Sequence, residues 1–385
     1  MDKPLVFIII DALGYQLAQG HDFSPSGLPV RKRLRTVPGF SQSALTSIFT
    51  GCYPDEHSMW MMYSFSRKNS PLKWLSFLPE GVSARRVWLR RLIDWKLRRV
   101  DGIKSYYSLY SVPKRILSLI DFPARSNIFL PGGNNRPHSF LDEFYSRGLE
   151  IFIRDYHTPE KDSFSHLKSA LAEGRFDFYL LYTAGLDAAL HKYGMNSKEI
   201  ENRLGWYRRQ LDEILSAAED MNIVVMGDHG MCDVTGWLDL ISRVEELDLR
   251  IPEDYIPFYD ATMARFRVFS DDAGRELEKL LGGIGEGSVL GKKDKKELGI
   301  NFENNIFGDI IYLMREGRII NPSYMGESPV KGMHGFHPEA DCMYSALFTN
   351  MEGADGLESI TEVAGLLLPG FRPEGRGGNG TGQDR

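Results

Sequence analysis

The sequence predicts an α/β protein on a doubly wound, mostly parallel sheet, with a basic helical insertion and a smaller α+β cap. Three observations carry this. LVFIII (5–10), DFYLLYT (177–183) and NIVVMGD (222–228) are continuously apolar or nearly so, the pattern of strands buried on both faces. Helical stretches alternate with them, and strand–helix alternation argues for parallel pairing through crossovers. Asp11, Asp187 and Asp228 follow or close these runs, where open α/β sheets bind ligands.

Taken in order, the first strand is 5–10. Residues 41–49 read as a helix with Ser41 as its cap and apolar residues on one face. Residues 84–100 suit an amphipathic helix, although Arg85, Lys96 and Arg99 intrude on its apolar side. NIFL (127–130) and EIFI (150–153) read as short strands around a helix near 138–147, and 196–219 is strongly helical. After Gly230 the texture changes: 236–329 mixes a helix (GRELEKLL), short strands (ARFRVF, DIIYLM, GRII) and a charged turn, GKKDKKE. The chain thus divides into a core (1–63, 126–235, 330–369), an aromatic-rich basic insertion (64–125), a cap (236–329) and a disordered tail (370–385) rich in Gly and charge.

Composition is that of a globular protein: 385 residues, 42% apolar, 25% charged and a net charge of −6. The three cysteines, Cys52, Cys232 and Cys342, form no disulfide-framework spacing, so a reducing compartment is the simpler expectation. The apolar run at the N-terminus is too short for a signal peptide, and no stretch reaches a membrane-spanning length, which adds the expectation of a cytoplasmic protein. Charge is uneven. Between Ser64 and Arg125 fourteen Lys and Arg face four Asp and Glu, interleaved with Trp74, Trp88, Trp95, Tyr106, Tyr107 and Tyr110. Such a segment either turns a solvated basic face outward or meets an anionic substrate or an anionic membrane surface; no specific nucleic-acid motif accompanies it.

The chemistry-bearing residues are Asp11, Asp187, His191, Asp228, His229 and His334. Taken one at a time each is weak, since an Asp after an apolar strand is more often a helix cap or turn residue than a ligand. Together they offer three carboxylates and three imidazoles, enough for two divalent ions, with the N/O mixture favouring Zn²⁺ and admitting Mn²⁺ or Fe. Asp187 and His191 stand at i and i+4, on one face if a helix begins there. Ser41 sits where a helix starts, either as a plain cap or as a hydroxyl at the positive end of the helix dipole. His57 and His337 read as ordinary polar neighbours.

In order, these pieces resemble the alkaline phosphatase superfamily, most closely its nucleotide pyrophosphatase/phosphodiesterase branch. The resemblance covers roughly 3–63, 175–235 and 330–350: Asp11, a helix ending T-G-x-Y-P-x-x-H (50–57), D-x-x-x-H-x-x-G (187–194), D-H-G-M (228–231) and H-G (334–335). It implies that Asp187, His191 and His334 hold one zinc, and that Asp11, Asp228, His229 and the Ser41 oxygen hold the other. It also implies that Ser41 is a nucleophile passing through a covalent phosphoserine. Serine replaces the threonine usual in this branch, and Met62 stands where the branch has an asparagine that holds a phosphate oxygen. Methionine cannot donate that hydrogen bond, so Tyr63, Ser64 or an arginine of the insertion is expected to do so. The implied function is phosphodiester or nucleotide-pyrophosphate hydrolysis. The alternatives are phosphomonoester or phosphonate hydrolysis on the same core, and a non-catalytic membrane- or polyanion-binding protein.

Overall fold

The structure, a computed structural model, describes residues 3–66, 68–79, 86–109, 111–133 and 137–373. The strands of its two larger sheets are β1 (Leu5–Ile10), β2 (Val30–Leu34), β3 (Ile151–Arg154), β4 (Phe178–Thr183), β5 (Asn222–Met226), β6 (Tyr255–Tyr259), β7 (Met263–Val268), β8 (Gly287–Val289), β9 (Ile310–Met314) and β10 (Ser345–Thr349). The helices used below are α1 (Ser41–Thr50), α2 (Val87–Arg99), α3 (Phe140–Ser146), α4 (Glu160–Glu173), α5 (Gly185–Tyr193), α6 (Lys198–Ala217), α7 (Asp271–Gly282) and α8 (Lys292–Glu297).

The central sheet runs β2-β10-β5-β1-β4-β3. β1 pairs in parallel with β4 and β5, β3 joins β4 in parallel, and β10 runs against both β5 and β2. Every residue of β1 is buried because each face carries helices. Val6, Ile8 and Ile10 pack with Phe164 and Leu167 of α4, Leu186 and Leu190 of α5, and Ile200 and Leu204 of α6. Leu5, Phe7 and Ile9 pack with Leu45, Ile48 and Phe49 of α1 and with Phe140 and Phe144 of α3. Two-sided burial explains why β1 reads as a continuous apolar run with no alternation.

The second sheet is antiparallel, in the order β6-β7-β9-β8. Its apolar cluster joins Tyr255, Phe258, Phe266 and Tyr312 to Leu89, Ile93 and Leu97 of α2 and to Ile116 and Phe122, so segments 64–125 and 236–329 share one core. Leu89, Ile93 and Leu97 recur at i, i+4 and i+8, and each full burial is worth about 1.5–3 kcal/mol. That stripe anchors a helix whose other faces are strongly basic. A buried ion pair lies in this core: Arg265 Nε donates to Asp260 Oδ2 (2.8 Å), and its Nη1 reaches out of segment 236–329 to the Tyr63 carbonyl (3.0 Å).

Several expectations need correction. NIFL (127–130) is a turn: Asn127 Oδ1 accepts from Phe129 N–H, its Nδ2 donates to Asp155, and Leu130 N–H returns to the Asn127 carbonyl. GKKDKKE is helical (α8), started by Asp294 Oδ2 accepting from Gly291 N–H. The start of the presumed tail is packed, with Phe371 against the α1 side of the core and Pro373 beside Gly51; 374–385 lie outside the described residues. Of the residues said to break the face of α2, Arg99 is exposed, Lys96 donates to Asp101 (2.7 Å) and to the Pro71 carbonyl (2.7 Å), and Arg85 lies outside the described residues. The largest correction concerns cysteine. Cys232 and Cys342 form a disulfide across 110 residues, which removes the premise of the reducing-compartment expectation; Cys52 is buried and takes no part in a disulfide. Spacing missed the bond because the two cysteines meet only after β10 has brought its own approach segment back to the loop beyond β5.

Candidate active site

The candidate site residues gather at the carboxyl ends of β1, β4 and β5. Asp11 follows β1 directly, and the chain then turns at Ala12, which takes a left-handed φ of 62° and donates its N–H to Asp228 Oδ1 (3.1 Å). An unfavourable backbone angle on a non-glycine residue, held by a carboxylate partner, fits a site whose surroundings over-determine it. Asp228 lies two residues beyond β5. A Cβ on Gly227 would fall 2.4 Å from the Leu13 carbonyl oxygen, so only glycine lets the Asp11 and Asp228 turns come together. Asp187 and His191 lie on α5, and His334 follows a short strand, Gly332–Met333, that pairs with Cys232–Asp233.

Ser41 is the first residue of α1, with Phe40 at the cap position, and its side chain makes no capping bond, which corrects the N-cap reading. Its Oγ instead lies 3.4 Å from Asp11 Oδ1 and 3.1 Å from His229 Nε2. His229 Nε2 is also 3.4 Å from Asp11 Oδ1 and 3.5 Å from Asp228 Oδ2. On the other side, Asp187 Oδ1 lies 3.3 Å from His191 Nε2 and 3.5 Å from His334 Nε2. Ligand atoms of Asp11, Asp228 and His229 fall within 4.8 Å of one another, and so do those of Asp187, His229 and His334. His229 is therefore common to both groups, and His191 joins the second through Asp187.

The donor set fits divalent cations. His191 Nδ1 lies 2.8 Å from the Gly332 carbonyl and His229 Nδ1 2.9 Å from that of Gly230. Each Nδ1 must carry the hydrogen to donate there, which turns each Nε2 toward a carboxylate oxygen, the arrangement of metal-ligating histidines. A cation held between Nε2 and carboxylate would be shared by both. Asp228 Oδ2 and His334 Nδ1 are buried with no hydrogen-bond partner among the described residues. Burial and the charges of Asp228 and Asp187 push the Asp11 carboxyl well above the usual carboxylate range, although Tyr182 OH donates to it. Burial would raise Asp187 too, but contact with His191 and the other imidazoles holds it below that range.

A cavity of about 390 Å³ opens beside Ser41. Phe40, Leu45, Met59, Met62, Ile128, Phe129, Tyr156, Met325 and Met333 make its wall largely apolar, and Gln42 adds an amide next to the serine. Tyr63 and Ser64 do not line it: the Tyr63 ring packs on Phe122 and Phe258, and Ser64 sits in a two-residue strand opposite Asp121. No arginine lines it among the described residues. His57 is buried behind α1, its Nε2 3.0 Å from Ser47 Oγ, and His337 is an exposed residue that accepts from Glu339 N–H. The reading of the sequence missed Tyr182, Gln42, Phe129 and Tyr156. Tyr182 carried a signal, being a hydroxyl near the carboxyl end of an otherwise apolar strand beside Asp11.

The sequence matches the model of the type I phosphodiesterase / nucleotide pyrophosphatase family over residues 21–337. No curated protein matches the chain. Among solved structures, murine ectonucleotide pyrophosphatase/phosphodiesterase 5 superposes with a TM-score of 0.67 at 12% identity, covering 97% of each chain. The human protein of the same name gives 0.67 at 12% identity, over 95% of this chain and 94% of that one. An inactive variant of the murine protein in complex with AMP gives 0.66 at 12% identity, again over 97% of each. At that identity the superpositions speak for the fold, which is the alkaline phosphatase-like α/β architecture.

Proposed function

Since the chain belongs to the type I phosphodiesterase / nucleotide pyrophosphatase family, a family of phosphate-ester hydrolases, we propose that Ser41 is its nucleophile and that two divalent cations assist it. One observation carries the reading: Ser41 Oγ lies at the cavity, 3.1 Å from His229 Nε2 and 3.4 Å from Asp11 Oδ1, with its helix end free of any capping duty. Asp187, His191 and His334 would hold one cation, and Asp11, Asp228 and His229 the other. Zinc suits these ligands best, with manganese or iron as substitutes. When bound, the pair supplies Lewis acidity that lowers the hydroxyl's pKa and offsets charge on the phosphoryl oxygens.

The chain's own residues do the rest. Backbone carbonyls fix the tautomers of His191 and His229, and Tyr182 OH orients the Asp11 carboxylate. Ser41 Oγ, losing its proton, forms a bond to phosphorus as the P–O bond to the leaving alcohol breaks, and that alkoxide takes up a proton. Water then attacks phosphorus, the Oγ–P bond breaks, and Ser41 regains a proton. The apolar wall suits an ester bearing a hydrophobic or aromatic group and keeps bulk water from the intermediate. Assaying zinc-loaded protein against bis-p-nitrophenyl and p-nitrophenyl phosphate tests the reading. Faster diester cleavage, abolished by chelation and restored by zinc, is expected; activity indifferent to chelation contradicts it.

A second reading concerns where the substrate is met. On α2, Trp88, Leu92 and Trp95 are 52%, 42% and 57% exposed and lie on one face with Arg91, Arg98 and Arg99, turned away from buried Leu89, Ile93 and Leu97. Exposed tryptophans among arginines suit the headgroup level of an anionic membrane. Tyr107 OH donates to Asp94 of this helix, and the neighbouring Tyr106 lines the cavity, so the face stands next to the site. Sedimentation with vesicles containing phosphatidylserine should pull down wild type but not Trp88→Ala/Trp95→Ala. Equal binding to vesicles of neutral phosphatidylcholine, or none to either, contradicts this reading.

A further inference from the structure

Most polar side-chain atoms of the cavity wall are already engaged within the protein. Met62 lines the cavity with only a thioether, and its sulfur is taken by Ser108 N–H (3.3 Å). Trp60 Nε1 donates to the Pro38 carbonyl (3.1 Å), Ser105 Oγ to the Ala124 carbonyl (2.6 Å), and Thr46 Oγ1 to the Gln42 carbonyl (2.7 Å). Asn127 Nδ2 is held by Asp155 (2.8 Å), and Tyr182 OH by Asp11. Gln42 differs. Its Nε2 is buried and has no hydrogen-bond partner among the described residues, and it stands on the same wall, one residue after Ser41.

Resting on the hydrolase reading above, we propose that Gln42 is a substrate-binding residue whose amide donates to a non-bridging oxygen of the phosphoryl group. A buried amide without an acceptor is costly, and an anionic oxygen arriving beside Ser41 removes that cost. The same end of α1 turns the positive pole of its dipole toward the anion. The position also keeps the donor on the rigid helix that carries the nucleophile, so the two move together as the phosphoryl group passes to Ser41 Oγ. Met62, across the cavity lining, is left as apolar wall for the organic part of the ester.

Gln42→Met keeps the side-chain length and removes the donor. In the zinc-loaded full chain, kcat/KM for bis-p-nitrophenyl phosphate should fall about 10- to 100-fold, the range for a hydrogen bond to a charged group, with zinc content and Tm unchanged. Inorganic phosphate titrated calorimetrically should bind about tenfold or more weakly to Gln42→Met than to wild type, and Gln42→Glu should weaken it further through charge repulsion. The separate enantiomers of O-methyl O-p-nitrophenyl phosphorothioate give a readout that a structural role would not move. Wild type should discriminate between them, and Gln42→Met should lose most of that discrimination. If Gln42→Met fails to fold, Gln42→Glu carries the same comparisons. Equal phosphate affinity in wild type and variant, or no measurable phosphate binding to wild type, overturns the proposal. Phosphate affinity that depends on Gln42 in a protein that cleaves neither ester would leave this assignment standing and sink the hydrolase reading instead.

Discussion

The imidazoles of His229 and His334 lie ring on ring, with centroids 3.9 Å apart and planes 17° from parallel. Both side chains are buried, at 1% and 6% exposure. Two buried imidazoles in face-to-face contact cannot both carry a proton's charge. Burial and the neighbouring His229 push His334 well below the ordinary histidine range. The stack lies with Asp11 and Asp228 on one side and Asp187 on the other.

Because His229 is common to both ligand groups, His229→Ala should disturb both cations. Metal analysis after zinc loading and desalting should find about two ions per chain in wild type and about one or fewer in the variant. Asp187→Ala should lose mainly one ion. A full complement in His229→Ala would remove it from the ligand set.

The disulfide makes a second, chemical prediction. It joins Cys232, three residues after His229, to Cys342, eight residues after His334, and so fastens the two segments that carry the stacked imidazoles. Denatured without reductant, the protein should react with one equivalent of a thiol reagent, at Cys52; reduced first, it should react with three. The double variant Cys232→Ala/Cys342→Ala should lose about 2–4 kcal/mol of stability in urea unfolding. Three reactive thiols without reductant would mean that the bond does not form.

His57 gives a pH signature. It is fully buried, its Nδ1 accepts from Met59 N–H (3.1 Å), and its Nε2 meets Ser47 Oγ, so a second ring proton has no acceptor. Burial pushes its pKa down to about 3. The unfolded chain, near 6.5, takes up that proton first, so the stability due to neutral His57 is fully present above about pH 6.5 and is lost as the pH falls toward 3. Measured on chelated protein, the stability advantage of wild type over His57→Gln should shrink by about 2 kcal/mol between pH 6.5 and 5. A difference independent of pH would contradict the buried neutral imidazole.

What the sequence disclosed and what it hid divide along physical lines. β1, β4 and β5 were legible because burial on both faces writes an unbroken apolar run, and the carboxylates beyond them were legible because the sheet ends there. The strand reading at Asn127 failed because a side chain that bonds its own backbone outweighs a short apolar run. The role of Ser41 was ambiguous because the local sequence does not say whether a hydroxyl at a helix start turns back to cap it or outward to Asp11. The Cys232–Cys342 pairing, the neighbours of Tyr63 and the unspent amide of Gln42 all depend on contacts between distant segments, which no local pattern encodes.

The central claim is that Ser41 Oγ is the attacking atom, and its most direct test is hydrolysis of bis-p-nitrophenyl phosphate by zinc-loaded Ser41→Ala. With no capping bond to lose, that variant should keep its fold and its metal while turnover falls by about a thousandfold or more; Ser41→Thr, which keeps the hydroxyl, should retain measurable activity. Ser41→Ala turning over at the wild-type rate would contradict the account.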